Sequence, residues 1–564
     1  MSGRIAEFND KEINFTSSGP LMEDKVFYMV HGRYYDKGGQ YRNTVTGDKV
    51  GQEESINVDA SVEFRVNDNF TATFNGGYGE DDDGGAAIVL QERTENNCFL
   101  DVARQYYCGE VIEQDTVELN TDLWPAGKYG LDKETLRLSA KLEYDLGDFI
   151  ITSNTGYFGA EQTYGYDVDL TANSTALGGT FNRIAVSDRE EWSTELIVQS
   201  NPQERLRSLA GVYYYQSRRD FREDRLNGST VDSGESRIDN IAPFGKLDFD
   251  FTDRVTGTAE IRYAEDKIGN DNPSRTALPF IENKFKSWSP RFTVDWQIND
   301  QSLIYSSVAK GNKPGFINAA AGIPAQFLTA DEEKSWNYEI GTKNTLLDGR
   351  MILNAALYYI DWSNQQLTTN TFLDSGAPIS VVVNAGETRV EGFEFELSNV
   401  FTDHFTGGVG YNLNDAKFKV FDDPEQAAFF GDPSVKGNQT PNSSKHQFNI
   451  FGRVSYPVSD GVDWFARADF AYAERKYAQI FNLAHSGDQK LLNLKIGVES
   501  GNWALTAFVD NVTDDRTPST VIRFVDFKNP LPIGTSGRTS AFVRGFQYPL
   551  ADRRQFGITG SYSF

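Results

Sequence analysis

Arg553-Arg554-Gln555-Phe556-Gly557-Ile558-Thr559-Gly560-Ser561-Tyr562-Ser563-Phe564 is the stretch that decides the fold class. In an extended chain Phe556, Ile558, Gly560, Tyr562 and Phe564 share one face, and Gly557, Thr559, Ser561 and Ser563 share the other. A half-apolar strand ending on an aromatic residue suits a position that closes a sheet. An apolar face edged with aromatic side chains is what the outer wall of a membrane β-barrel needs. The stretch therefore points to an outer membrane.

Composition points the same way. The 564 residues include 50 Gly, 26 Tyr and 40 Phe, which favour strands and turns over several mixed domains. Mean hydropathy is −0.49, and no apolar run of about 18 residues occurs, which excludes a transmembrane helix. It does not exclude a barrel, because alternating strands average their hydropathy away. The net charge of −27 argues against nucleic acid, whose phosphates require basic patches. It reads as solubilising charge on loops.

Short polar turns punctuate the chain: Met22-Glu23-Asp24, Asn67-Asp68-Asn69, Gly147-Asp148, Asn201-Pro202-Gln203, Thr252-Asp253-Arg254, Asn299-Asp300-Gln301, Leu347-Asp348-Gly349, Thr402-Asp403-His404, Val458-Ser459-Asp460 and Ser500-Gly501-Asn502. Each lies between alternating segments, the signal of a tight hairpin. Between turns run a strand, a longer polar loop and another strand. Ten turns alternating with eleven loops imply an all-β, 22-stranded antiparallel transmembrane β-barrel, with short periplasmic turns and long extracellular loops. A β-propeller also repeats at this spacing, but it needs four strands per blade and a recurring signature, and neither is present.

The alternation assigns faces. Over residues 56–66, Ile56, Val58, Ala60, Val62, Phe64 and Val66 alternate with Asn57, Asp59, Ser61, Glu63 and Arg65. A lipid-facing Arg or Lys near the midplane costs about 2–4 kcal/mol, so the charged set belongs to a wet lumen.

Cys98 and Cys108 are the only cysteines and lie in one polar segment. They read as a loop disulfide formed in an oxidising compartment, contributing about 2–3 kcal/mol at most. The four histidines, His31, His404, His446 and His485, are scattered. The run Glu80-Asp81-Asp82-Asp83-Gly84-Gly85 lacks the spacing of a calcium loop. Tyr164 and Tyr166, like Tyr106 and Tyr107, could stack on a sugar or an aromatic chelator, or simply pack in the girdle and loops. No metalloprotease, phosphate-loop or nucleophile-elbow motif occurs. No catalysis, cofactor or metal is expected, and no ligand-contacting residue is assigned.

Trp288-Ser289-Pro290-Arg291, followed by residues 303–316, resembles a hallmark of TonB-dependent outer-membrane receptors. So do residues 333–343, Arg389-Val390-Glu391-Gly392-Phe393-Glu394, and the stretch from Trp503 to Asp510-Asn511-Val512-Thr513-Asp514. Near the start, Ser18-Gly19-Pro20-Leu21 and Gly32-Arg33-Tyr34-Tyr35 resemble the family's second and third strands. The resemblance covers essentially the whole chain. It implies import of a bulky, scarce nutrient (a ferric siderophore by default, with cobalamin or oligosaccharide as rivals) by a monomer in the bacterial outer membrane, among its lipids and lipopolysaccharide. It also implies that Phe564 belongs to the signal read by the barrel-assembly machinery.

The family's signal peptide, TonB box and lumen-filling plug have no counterpart in residues 1–564, which are expected to form the barrel domain alone. The TonB complex would then act only through the missing parts. The alternative expectation is a passive, plugless channel.

Overall fold

The computed structural model describes residues 1–99, 105–120, 129–172, 182–202, 204–225, 229–271, 280–319, 323–372, 378–384, 386–529 and 543–564. Twenty-two strands form one antiparallel sheet, each pairing with its neighbours in chain order. The sheet closes because Ser2–Ala6 pairs with Gln555–Tyr562, Gly3 opposite Gly560 and Ile5 opposite Ile558. The terminal stretch is thus the closing strand, and closure leaves no open sheet edge between first and last strands.

All ten turns read from the sequence join neighbouring strands at one end of the barrel. Gln203 of the Asn201-Pro202-Gln203 turn lies outside the described residues, but Asn182–Ser200 and Leu206–Arg225 on either side of it pair. Several turns share one device, in which the first polar side chain accepts the backbone N–H two residues on. Asn67 accepts from Asn69 at 2.9 Å, Asp145 from Gly147 at 2.7 Å, Asn299 from Gln301 at 2.9 Å and Thr402 from His404 at 3.2 Å. Such side chains mimic a backbone turn, which is why Asn, Asp and Thr mark these positions. At the opposite end the first connection is shorter than expected. Residues 7–9 turn tightly, with Phe8 and Asn9 at φ of 63° and 59°, a conformation that carries no glycine signature here.

Wall height is uneven. The strands Asn182–Ser200, Leu206–Arg225 and Thr230–Thr252 have 19, 20 and 23 residues, whereas Ser2–Ala6, Trp503–Asp510 and Gln555–Tyr562 have 5, 8 and 8. A bilayer crossing needs about 9–11 tilted residues, so the tall strands stand roughly 8 to 14 residues proud of the membrane.

The faces follow the alternation. Ile56, Val58, Phe64 and Val66 are exposed on the outside. Trp288 and Trp296, both outward on the strand Ile281–Asn299, mark two aromatic levels roughly 27 Å apart along it. Tilted by about 40°, that spacing approaches the apolar band of roughly 25 Å. Tyr157 with Trp192 (4.7 Å) and Tyr263 with Trp288 (4.8 Å) extend the upper level around the wall. Tyr456 and Trp464 (6.0 Å) belong to the lower one.

Candidate functional site

Charged side chains and flat-lying rings line the lumen. Phe508 lies across Gly557, Phe465 across Gly497, Phe451 across Gly408 and Tyr305 across Gly341. A Cβ on any of these glycines would meet the ring at 2.2 to 2.8 Å, so only glycine lets the ring lie against the wall. Cations stack on the rings from the lumen side: Arg4 on Phe508 at 4.5 Å, Arg453 on Phe465 at 4.2 Å and Arg467 on Phe451 at 4.6 Å. Carboxylates anchor the same cations, with Asp10 on Arg4 (3.2 Å), Glu499 on Arg453 and Asp469 on Arg467 (2.6 Å). On another part of the wall, Gly77 lies between Asp59 and Arg137 in the strand register, and their side chains meet across it at 3.2 Å. Each device buries stacking area while leaving hydrogen-bonding atoms toward the lumen.

Above the low side of the wall, four connections fold into a cap. Residues 88–91 pair with residues 546–549, Gly109–Glu110 with Ala484–His485, and Thr116–Val117 with residues 42–43. Tyr41, Val89, Tyr106, Leu119, Phe481 and Phe546 belong to its hydrophobic core. Tyr106 is 1 % exposed, and burial pushes its hydroxyl well above the usual tyrosine range. A fifth connection joins through the helix Pro424–Phe430, capped by the Asp423 carboxylate and ended by Gly431 at φ 78°. Phe429 of that helix packs on Phe99 (4.8 Å), Tyr106 (5.3 Å) and Phe481 (5.3 Å). Arg523 lies over Tyr106 at 4.7 Å and pairs with Glu425 at 2.6 Å, tying helix to cap.

Beneath the cap, facing the lumen, is a polar cavity of about 640 Å³. The first strands contribute Arg4, Asp10, Arg33 and Lys37, and the cap base contributes Asp515 and Asp552. Lys37 meets Glu53 and Asp552, both at 3.2 Å, and Arg33 meets Glu12 at 2.9 Å. Gln555 joins the seam strands by donating to Asp10 (2.9 Å) and accepting from Arg4 (2.8 Å). Deeper in the cap base, hydrogen bonding from Arg516 holds the Asp514 carboxyl down at about 2.

The residues singled out from sequence are dispersed. Cys98 and Cys108 are bonded inside the cap, with Cα atoms 6.0 Å apart. Tyr106 is cap core, Tyr107 donates to the Glu110 carbonyl (2.7 Å), and Tyr164 stacks on Tyr166 (5.3 Å). Strand alternation puts Asp81 and Asp83 on one face, where Asp81 reaches Lys133 (3.6 Å) and Asp83 accepts from the Glu54 N–H (3.1 Å), and sends Glu80 and Asp82 to the other. His31 bonds Thr16, His404 stacks on Tyr456, His446 bonds Tyr411, and His485 lies in the cap. Phe564 is 93 % exposed beside Tyr562. Arg33, Lys37, Asp515 and Asp552 went unassigned in the sequence, because strand alternation names a face but not which strands converge across a lumen.

A family model described as TonB dependent receptor-like, beta-barrel, matches residues 78–512. A probable TonB-dependent siderophore receptor, PiuA, of Acinetobacter baumannii is 26 % identical over 195 residues, 34 % of this chain and 25 % of the relative. The pesticin receptor of Yersinia enterocolitica is 24 % identical over 215 residues, 36 % of this chain and 31 % of that protein. The matches thus span about a quarter to a third of these relatives' lengths. Among solved structures, the ferric yersiniabactin uptake receptor FyuA from Yersinia pestis superposes with a TM-score of 0.76 at 14 % identity, covering 100 % of this chain and 79 % of that one. The siderophore receptor PiuA from Acinetobacter baumannii gives 0.74 at 15 % identity, covering 100 % and 81 %.

Proposed function

This chain belongs to the TonB-dependent receptor β-barrel family, placed in the bacterial outer membrane, and from that premise we propose that it is the barrel of an uptake receptor for a ferric siderophore. The family is one of transport receptors rather than enzymes. A relative named as a probable TonB-dependent siderophore receptor supports the ligand class. The observation that carries the reading is the pairing of a folded cap with a polar lumen cavity directly beneath it. A rigid cap over a charged cavity suits capture of a large polar ligand better than free diffusion.

In this reading residues 1–564 make up one barrel domain, and a lumen-filling plug with its TonB box couples release to inner-membrane energy. The glycine-seated rings and anchored arginines are the surface against which that plug packs. Phe564 contributes to recognition by the assembly machinery, and the barrel works as a monomer among outer-membrane lipids and lipopolysaccharide. Carboxylates predominate in the cavity, which favours a ligand of low net negative charge over a polyanion.

Uptake of iron-55 siderophores by receptor-deficient cells carrying the gene tests this. TonB-dependent accumulation of one siderophore class is the expected result. Equal iron uptake with and without TonB, together with a large planar-bilayer conductance, would instead establish a passive channel.

A further inference from the structure

We propose that Asp167, Asp169 and Asn182 hold one hard divalent cation of the calcium class at the top of the tall wall. Asp167 ends the strand Phe149–Asp167 and lies directly opposite Asn182, the first residue of the returning strand. Directly opposed residues on an antiparallel pair share a face, so the carboxylate and the amide converge. Beyond the strand the chain reads Asp167-Val168-Asp169-Leu170-Thr171. Leu170 takes a left-handed φ of 50°, which turns the loop back on itself, and the Asp169 N–H donates to Asp167 at 3.2 Å. A second segment closes over the group. The Asn120 N–H donates to Asp167 Oδ2 (2.9 Å), Asn182 Nδ2 donates to the Asn120 carbonyl (2.9 Å), and the Ala172 N–H donates to Glu118 (3.1 Å).

The site is buried, and two of its oxygens are without a donor. Asp167 is 4 % exposed, Asp169 1 %, Thr171 1 % and Asn182 0 %. Asp169 Oδ1 and Asn182 Oδ1 accept no hydrogen bond among the described residues. Nor does any Lys or Arg among them pair with either aspartate. Among the described residues Arg183 pairs with Glu223 at 3.2 Å, and Lys528 with Glu92 (2.8 Å) and Glu118 (2.9 Å). The Asp167 and Asp169 side chains hydrogen-bond to each other. Two buried carboxylates in contact need a shared proton or a cation between them.

The donors decide for the cation. They are all oxygens: two carboxylates and the Asn182 amide carbonyl, whose oxygen accepts no hydrogen bond among the described residues. An amide oxygen gains nothing from a proton shared between carboxylates, but it is an ordinary calcium ligand. The set contains neither thiolate nor imidazole, the ligands that the softer transition metals prefer. Water completes such a shell, and on the extracellular side a dissociation constant of about 10⁻⁴–10⁻³ M suffices.

The test titrates the refolded full chain in detergent with calcium chloride at pH 7.5 by calorimetry. Terbium luminescence, sensitised through Tyr129 beside Asp167, runs in parallel. One saturable calcium site is expected, weakened at least tenfold in Asp169→Asn and severalfold in Asn182→Ala, and unchanged in the control Asp82→Asn. A heat-modifiable gel band establishes folding; if Asp169→Asn fails it, Asn182→Ala and the wild-type titration decide. No calcium binding up to 10 mM, or binding unaltered in every folded site variant, overturns the proposal and leaves the shared proton.

Discussion

The tall and low sides of this barrel solve the same problem in different ways. From Phe149 to Asn299 the wall rises on strands of 16 to 23 residues, and the extramembrane surface is the sheet itself. Its outward side chains turn from Val212 and Tyr214 to Arg218, Asp220 and Arg222 as it leaves the bilayer, with Arg218 bridging Asp220 (3.3 Å) and Glu235 (3.2 Å). On the other side the closing strands are short, and the extramembrane mass is a cap with its own apolar core and disulfide. Backbone ladders hold the tall side, so individual side chains there matter little. Side-chain burial holds the cap, so single truncations should open it without disturbing the wall.

Phe546→Ala should have the largest effect. Phe546 is 1 % exposed against Tyr106, and its loss should cost the cap about 3–5 kcal/mol. Chymotrypsin should then cut within residues 84–129 while the heat-modifiable barrel band persists. Loss of that band as well would show that cap and wall fold as one unit.

Next comes the wall. Ala60→Arg places a charge on the lipid face between the two aromatic levels and should cost about 2–4 kcal/mol, impairing assembly. Arg65→Ala, which gives up the Glu63 pair and stacking on Phe27 on the lumen side, should assemble normally. Equal loss of folded band in both variants would refute the face assignment.

Cys108→Ser should loosen the cap by about 2–3 kcal/mol, seen as faster proteolysis of residues 84–129 with the barrel band unchanged. The smallest effect is acidic. Asp514 is held near 2 by Arg516, below an ordinary carboxyl, so its stabilisation is present above about pH 4 and lost as pH falls toward 2. After solvent screening it amounts to about 1 kcal/mol or less. Pepsin sensitivity of the cap should rise over that window, and the step should vanish in Asp514→Asn.

The wall was legible because its signals are local. Asn67 and Asn299 announce turns by bonding two residues on, and Ile56 to Val66 alternate whatever they pair with. The three-residue turn at Phe8 and Asn9 was not, because its left-handed residues are not glycine. Nor was the cap. Its core joins Tyr41, Tyr106, Phe481 and Phe546 from connections hundreds of residues apart, with no period to betray them. Of the cavity residues, Arg4, Asp10, Arg33 and Lys37 lie on strands whose alternation fixes their face, yet only closure of the sheet brings Arg4 and Asp10 to Gln555.

Closure is therefore the claim on which wall, lumen and cap all depend, and cross-linking tests it directly. In the pair Gly3→Cys with Gly560→Cys, the two residues face each other across the seam, and both glycines have room for a Cβ. Mild oxidation of the folded protein in membranes should join the chain near its two ends and shift its mobility on a denaturing gel. The control pair Gly3→Cys with Ile13→Cys, opposite each other on the first hairpin, should cross-link equally well. Cross-linking of the control but not of the seam pair would contradict a closed barrel.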